Sequence, residues 1–569
     1  MAYFLKKSKL KKGLYLQIYE SFYNPQKKGT SHKSYKSLGY VDELAASGID
    51  DPVSHFSAVV DRMNLEANRT KEQKKARLIS DSPERYLGYF PLKALYDGLH
   101  VSNYLDLLQT TKGFRFRLSD LLEALIYSRM LEPCSKRRTL GEVVPRLYSQ
   151  YRFSYDQLLE GVEYMGSEYE RIIEVFNHQV RQKYPFDTTT TYFDCTNFYF
   201  EIDREDAFRK KGPSKENRRD PIVGLGLLLD AGQVPVGMKL YPGNESEKPV
   251  IREAIHELKE RGRISGRTIQ VADKGLNCAE NIIAALSHKD GYIFSKSVKT
   301  LPETEKTWVL LDNDYQDVFD GHGQLLYRMK ECVDDFPYRY TGEDGRTRTV
   351  KLREKRIATY NPKLAEKKRY EIGRQVEKAR RLKAGGAKRQ EYGDCGKYVT
   401  FRSTDDRGNA TQGRVMASIN QEAVEKDLRL AGYNMIVTSE LSMGAAEIYH
   451  TYHNLWRIEE SFRLMKTYLD ARPVYMQKTD SIKGHFLICY LSVLLFRLLQ
   501  FKVLDERYGT EQLVRFIRDF RIAEVRHNEY VNLMTSNDLA RSLAKELDLP
   551  ITNYFLNDSQ IKKMLGHRF

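Results

Sequence analysis

The stretch from Thr188 to Glu201, TTTTYFDCTNFYFE, constrains the fold more than any other, because β-branched and aromatic residues run through it almost unbroken and favour a pleated strand. Asp194 sits inside it. A carboxylate in the middle of an apolar strand is costly unless it is paired or bound to a cation, so this acid demands a partner. Two further apolar strands, Ile222 to Leu229 and Val234 to Tyr241, are joined by the turn Asp230-Ala231-Gly232, and Pro242-Gly243-Asn244 ends the second. Glu247 to Arg261 reads as a helix. Thr268 to Ala272 makes another strand with Asp273 at its carboxyl end, where ligands collect in open α/β sheets. Asn277 with Glu280 has the capping-box pattern for the next helix, and a short strand, Tyr292 to Ser295, follows.

Residues 301–430 differ in texture. Strand-like pieces such as Thr307 to Leu311 and Thr349 to Arg353 alternate with turns, and a strongly basic helix spans Pro362 to Lys383, carrying Lys367, Lys368 and Arg374 among others. Such a helix is either a solvated face or a DNA contact; the excess of bases over acids points to the second. Strand character returns at Tyr433 to Thr438, so the segment reads as an insertion.

Tyr449 to Leu469 follows, reading YHTYHNLWRIEESFRLMKTYL. On one helix at about 100° per residue, Leu455, Ile458, Phe462, Met465 and Leu469 form an apolar stripe. Tyr452, Glu459, Arg463 and Lys466 lie on its shoulder. Glu459 is thereby expected beside the core, with Glu460 turned toward water. The plain alternative is that Glu459 and Arg463 form an ordinary i,i+4 pair. Beyond Pro473, Ile482 to Leu499 reads as an apolar helix packed on the sheet, with His485 as a satisfied structural histidine. The tail reads as helical, with Thr510 and Ser536 as caps.

At 569 residues the chain exceeds one ordinary core, and 41% apolar with 30% charged residues marks a globular protein. The formal charge of +15 points to a polyanionic partner. The apolar run from Phe486 is shorter than the roughly 20 residues of a membrane span, and the lysine-bearing N-terminus is followed by no signal-type apolar core. Six scattered cysteines without a C-x2-C pair read as reduced thiols in a cytoplasm. Near the N-terminus, period-2 runs at Gly13 to Tyr23 and Ser34 to Tyr40, broken at Asn24-Pro25, suggest a small basic antiparallel unit, either a nucleic-acid contact or a solvated hairpin. Asn64 to Arg77 reads as a linker or exposed helix. Residues 90–185 read as helical, with a basic turn at Pro133 to Arg138 that suits DNA binding.

Asp194, Asp273 and Glu459 therefore stand out as three acids on separate elements. Two divalent cations about 4 Å apart need carboxylate oxygens from several elements, and an all-carboxylate set favours magnesium. A β-β-β-α-β-α-β order with acids at these places fits a ribonuclease-H-like α/β fold. The sequence resembles the DDE transposases of bacterial insertion sequences, in the group with a β-rich insertion before the last acid. Their signature, Tyr-x2-Arg-x3-Glu-x6-Lys, is matched by Tyr452, Glu459 and Lys466, with Leu455 at the arginine position; Arg457 or Arg463 is the alternative source of that charge. Phe193-Asp194-Cys195-Thr196, Pro242-Gly243-Asn244 and Ala272-Asp273-Lys274-Gly275 with Asn281 resemble the family's other segments.

The resemblance implies a bacterial, cytoplasmic, nucleoid-associated enzyme that binds terminal inverted repeats, cuts at the element ends and joins the freed 3′ ends to double-stranded target DNA as a synaptic homodimer. It implies two Mg2+ ions, with Mn2+ as a substitute, held by Asp194, Asp273 and Glu459. Lys466 would grip a phosphate with Tyr452 beside it, and the basic loop at Lys215 and the insertion helix would add backbone contacts. The expected parts are a basic β-rich unit (1–63), a helical DNA-binding domain (64–185), the catalytic core (186–300 and 431–505), the insertion (301–430) and a C-terminal helical region (506–569). Two rivals share these features: a nuclease or resolvase that cuts without joining, and a catalytically inactive DNA-binding regulator.

Overall fold

The structure is a computed structural model and describes residues 2–24, 29–79, 84–110, 112–216, 218–262, 264, 266–342, 344–385, 388–402, 416–526 and 528–569. The chain forms two compact units, one of residues 1–85 with 523–531, the other of residues 86–522 with 532–569.

In the first unit the strands Ala2–Leu10, Gly13–Asn24 and Gly29–Tyr40 form an antiparallel sheet. Leu10 faces Gly13 across the first hairpin, where Gly13 adopts φ +128°, a region that disfavours side chains. Leu16 and Ile18 alternate inward as the period-2 pattern requires. The break expected at Pro25 lies outside the described residues. Asn64 to Arg77 belongs to a helix, Pro52–Ile79, whose start is held by Asp51 accepting from the backbone N–H groups of Val53 and Ser54.

The second unit is built on a nine-stranded sheet. Its order from edge to edge is Gln316–Phe319, Leu325–Thr341, Thr347–Tyr360, Tyr433–Thr438, Gly291–Lys296, Ile269–Ala272, Thr190–Tyr199, Ile222–Leu229 and Pro235–Pro242. Thr190–Tyr199, Ile269–Ala272 and Gly291–Lys296 run parallel, and the other pairings are antiparallel. This is the ribonuclease-H-like α/β fold. The long hairpin at 325–360 is hydrogen-bonded into the sheet through Tyr433–Thr438, so strands from the stretch 301–430, expected as an insertion, extend the same sheet. One face is covered by the helix Glu247–Glu260, where Phe193, Cys195, Val250 and Ile251 share a core. On the other face Phe198 packs on Phe486 of the helix Thr479–Leu498.

Several local expectations are overturned. Thr307 to Leu311 is not a strand but lies in and just beyond the helix Glu303–Leu310: Pro302 precedes it, Glu303 and Glu305 sit in the first turn where the helix dipole favours acids, and Thr307 turns its hydroxyl back to the Glu303 carbonyl. Asn277 and Glu280 form no capping box. Cys278 is the N-cap, and the Asn277 amide instead donates to the Ser295 carbonyl at 2.8 Å. Gly509 and Asn537 occupy the cap positions expected of Thr510 and Ser536. The tail also contains strands, Arg521–Arg526, Glu529–Asn532 and Phe555–Asn557.

The apolar helix runs on through a π-turn to Val503, longer than the apolar run in the sequence suggests. Among the described residues this is one helix long and apolar enough to cross a membrane, and 83% of its most apolar window is buried inside the protein, as in a core helix. None of the six cysteines is bridged.

Candidate active site

Asp194 and Asp273 are brought together by strand register. Phe193 and Ala272 are paired on adjacent parallel strands and both enter the same core, so the next residue on each strand turns to the opposite face. These residues are the two aspartates. The face they share is the one on which Phe198 meets the C-terminal helices, and the helix Trp456–Arg463 packs against the Asp194 strand.

Burial pushes the Asp194 carboxyl up to about 6; the Lys215 ammonium and the Cys195 N–H oppose the shift, while the negative charges of Glu247 and Asp273 add to it. Lys215 is the counter-charge: its Nζ stands 4.0 Å from Asp194 Oδ1 and 3.3 Å from Glu247 Oε1, and it also donates to the Cys195 carbonyl. Burial lowers the Lys215 pKa, but Asp194 and Glu247 outweigh it and hold the ammonium above its ordinary range. Glu247 was not singled out in the sequence. Its signal was available, since it is the first residue of a helix capped by Ser246 directly after the Pro242-Gly243-Asn244 turn.

Asp273 is held by two hydroxyls. Tyr452 Oη donates to Asp273 Oδ1 at 2.8 Å and Ser295 Oγ to the same oxygen at 3.2 Å. Burial and the Asp273 charge raise the Tyr452 phenol well above its ordinary value, so it remains a donor. Tyr452, expected beside Lys466 at a phosphate, is instead engaged with Asp273.

Lys466 lies on the Asp194 side. Its Nζ is 3.5 Å from Glu216 Oε1, which Arg472 also binds, and 5.4 Å from the centre of the Phe198 ring. Burial, with the like charge of Lys215, brings it down to about 8, against the pull of Asp194. Glu216 and Arg472 are further members of the cluster that spacing did not reveal, because the chain returns to them from distant loops.

The continuous helix expected over Tyr449 to Leu469 is three pieces: Ala445–His453, Trp456–Arg463 and a π-turn at Leu464–Tyr468. The stripe of Leu455, Ile458, Phe462, Met465 and Leu469 is buried as predicted. The two glutamates are reversed, with Glu459 exposed and the Glu460 side chain only 23% exposed. The phase of the stripe is kept, and Glu460 is drawn to charge on its own flank, 3.9 Å from Nη2 of the buried Arg497. Arg463 pairs with Glu460 at 3.0 Å rather than with Glu459, and Arg457 pairs with Glu506 at 2.8 Å.

On the helix Pro362–Ala384, Lys367 and Arg374 are exposed, whereas Lys368 pairs with Glu371 at 2.7 Å and reaches a cleft of about 500 Å³ that Asp273 and Tyr452 also line.

Among the described residues no three His, Cys, Asp or Glu side chains are gathered tightly enough to form a metal-binding cluster. Asp194 and Asp273 nevertheless fit a hard divalent cation: they are neighbouring oxygen donors on one face, and Asp194 already stands against the positive charge of Lys215.

Comparison with known proteins matches residues 185–495 to the family described as Transposase DDE domain. No curated protein matches. Among solved structures the chain is similar to a piggyBac transposase in a synaptic complex with hairpin DNA, at a TM-score of 0.36 and 10% identity, over 77% of this chain and 81% of that one.

Proposed function

The chain belongs to the transposase DDE-domain family, and from that premise we propose that it is the transposase of a bacterial insertion sequence. It binds the terminal inverted repeats, hydrolyses the phosphodiester at each element end and joins the freed 3′-hydroxyl to target DNA by transesterification. The observation that carries this reading is the pairing of Asp194 and Asp273 on one face of adjacent parallel strands. With Glu459 they would hold two Mg2+ ions, or Mn2+ in their place, which when bound activate the attacking oxygen and stabilise the leaving one. Tyr452 and Ser295 fix the Asp273 carboxylate. Lys215 balances Asp194 until that charge is met otherwise, and Lys466 lies near enough to the same acid to contact a phosphate bound there.

The protein acts as a homodimer on paired ends in the bacterial cytoplasm, on nucleoid DNA. The helical region before the core, the Lys215 loop and the exposed bases of the insertion helix hold the DNA backbone. Cleavage of labelled DNA bearing the terminal repeat, with Mg2+ and with EDTA, tests the reading. Metal-dependent nicking at the repeat boundary supports it, and pre-cut ends offered with target DNA separate a transposase from a nuclease that cuts without joining. A second reading, DNA binding without cleavage, draws on no three acids being gathered into a metal-binding cluster among the described residues; binding without nicking in Mg2+ would favour it.

A further inference from the structure

Away from the aspartates, the turn Pro133 to Arg138 and the segment after Leu469 enclose a cleft of about 480 Å³ lined by Arg129, Cys134, Lys136, Arg137, Tyr155 and His485 among others. Two of these residues are cations taken almost wholly out of water: Arg129 and Lys136 are each 6% exposed. Neither is in an ion pair among the described residues. Arg129 donates through Nη1 to the Leu469 carbonyl at 3.3 Å, and the Lys136 ammonium has no hydrogen-bond partner among the described residues. The acids nearby do not neutralise them. Glu132 is taken by Arg138 at 2.7 Å and Arg146 at 3.5 Å, and Asp470 lies exposed at the rim. His485 adds no charge: buried beside Lys136 and Arg129, it is held well below its ordinary pKa, with Nε2 3.1 Å from the Ala471 carbonyl.

Buried cations without a counter-charge are strongly disfavoured, and the expense is removed when an anion enters. Lys136 registers it directly, since burial and the Arg129 charge bring its ammonium down to about 7. An ammonium and a guanidinium lining one cleft suit a tetrahedral oxyanion, whose oxygens accept from the ammonium and from the guanidinium fork together.

We infer that Arg129 and Lys136 form a seat for a phosphate group, with Arg137 at its exposed edge, and that its occupant is a backbone phosphodiester of bound DNA. The choice of occupant rests on the function proposed above; the seat itself does not. It is a second anchoring point, supplied by the helical region and separate from the Asp194–Asp273 pair.

The full-length chain tests this in two arms. In the first, thermal unfolding is followed while inorganic phosphate is raised at constant ionic strength with chloride. The wild type is expected to gain melting temperature with phosphate. Lys136→Met should start at least as stable, because an uncompensated buried charge is gone, and should not respond, while Lys136→Arg keeps the response. In the second arm, DNA affinity is measured against salt, and Lys136→Met should lower the slope of log K against log salt by about one phosphate contact. Equal phosphate responses in wild type and Lys136→Met, or none in either with unchanged salt slopes, would overturn the seat. A phosphate response lost in Lys136→Met with an unchanged slope would overturn DNA as its occupant and leave a free phosphate in its place. Absence of any DNA binding by the wild type would count against the proposed function, whatever the phosphate arm gives.

Discussion

Tyr452 and Asp273 are joined by a hydrogen bond of 2.8 Å across 179 positions of sequence, which fixes the helix Ala445–His453 to the end of the Ile269–Ala272 strand. The phenol is thereby a positioning group for the aspartate. Tyr452→Phe is expected to cost about 1 kcal/mol of stability and to slow Mg2+-dependent cleavage while leaving DNA affinity unchanged. Urea unfolding, a cleavage time course and a binding titration check the three parts; a large loss of affinity would return Tyr452 to the DNA.

The two adjacent glutamates are expected to separate stability from chemistry. Glu459→Gln removes an exposed carboxylate and should leave the melting temperature within a degree or so while abolishing cleavage. Glu460→Gln withdraws charge from Arg497, which is fully buried and binds Ser461, Gln500 and Thr510, and should cost about 1–2 kcal/mol while cleavage at low temperature persists. Melting curves beside the cleavage assay decide it, and the reverse pattern would show that Glu460 is the acid that matters.

Asp194 sets a pH dependence in the metal-free protein. Its pKa rises from 3.8 to about 6 on folding, so between these values the native state binds more protons than the unfolded chain. Stability contributed by this group is present below pH 4 and lost as pH rises through 6, by up to about 3 kcal/mol. In EDTA, Asp194→Asn should flatten this part of the profile and melt higher than wild type at pH 7.5. A variant that melts lower there would show that the Lys215 pairing outweighs the burial of the charge.

The exposed bases of the insertion helix are expected to act on DNA as point charges. Lys367 and Arg374 are exposed and in no ion pair among the described residues, so Lys367→Ala and Arg374→Ala should each lower the salt slope by about 0.9, alike for specific and random DNA. Arg457→Ala and Arg463→Ala, whose charges are already met by Glu506 and Glu460, should change the slope less. Binding isotherms at several salt concentrations distinguish the two groups.

Much of the core was legible by itself. Strands at Ile222–Leu229 and Tyr433–Thr438 follow the sequence reading to the residue, because a buried strand needs an unbroken apolar run bounded by turn residues, and both properties are local. The cost of a carboxylate in such a run singled out Asp194 in the same way. What folding alone decided is charge pairing. Lys215, Glu216, Glu247, Lys466 and Arg472 meet around Asp194 from four stretches of chain, and no spacing rule links positions that distance and burial bring together. Glu460, and not Glu459, turns inward because a buried arginine at position 497 stands on its flank. A periodicity of 3.6 finds the buried stripe but does not say which neighbouring element meets each flank of it, so the orientation of the last acid belonged to the tertiary structure.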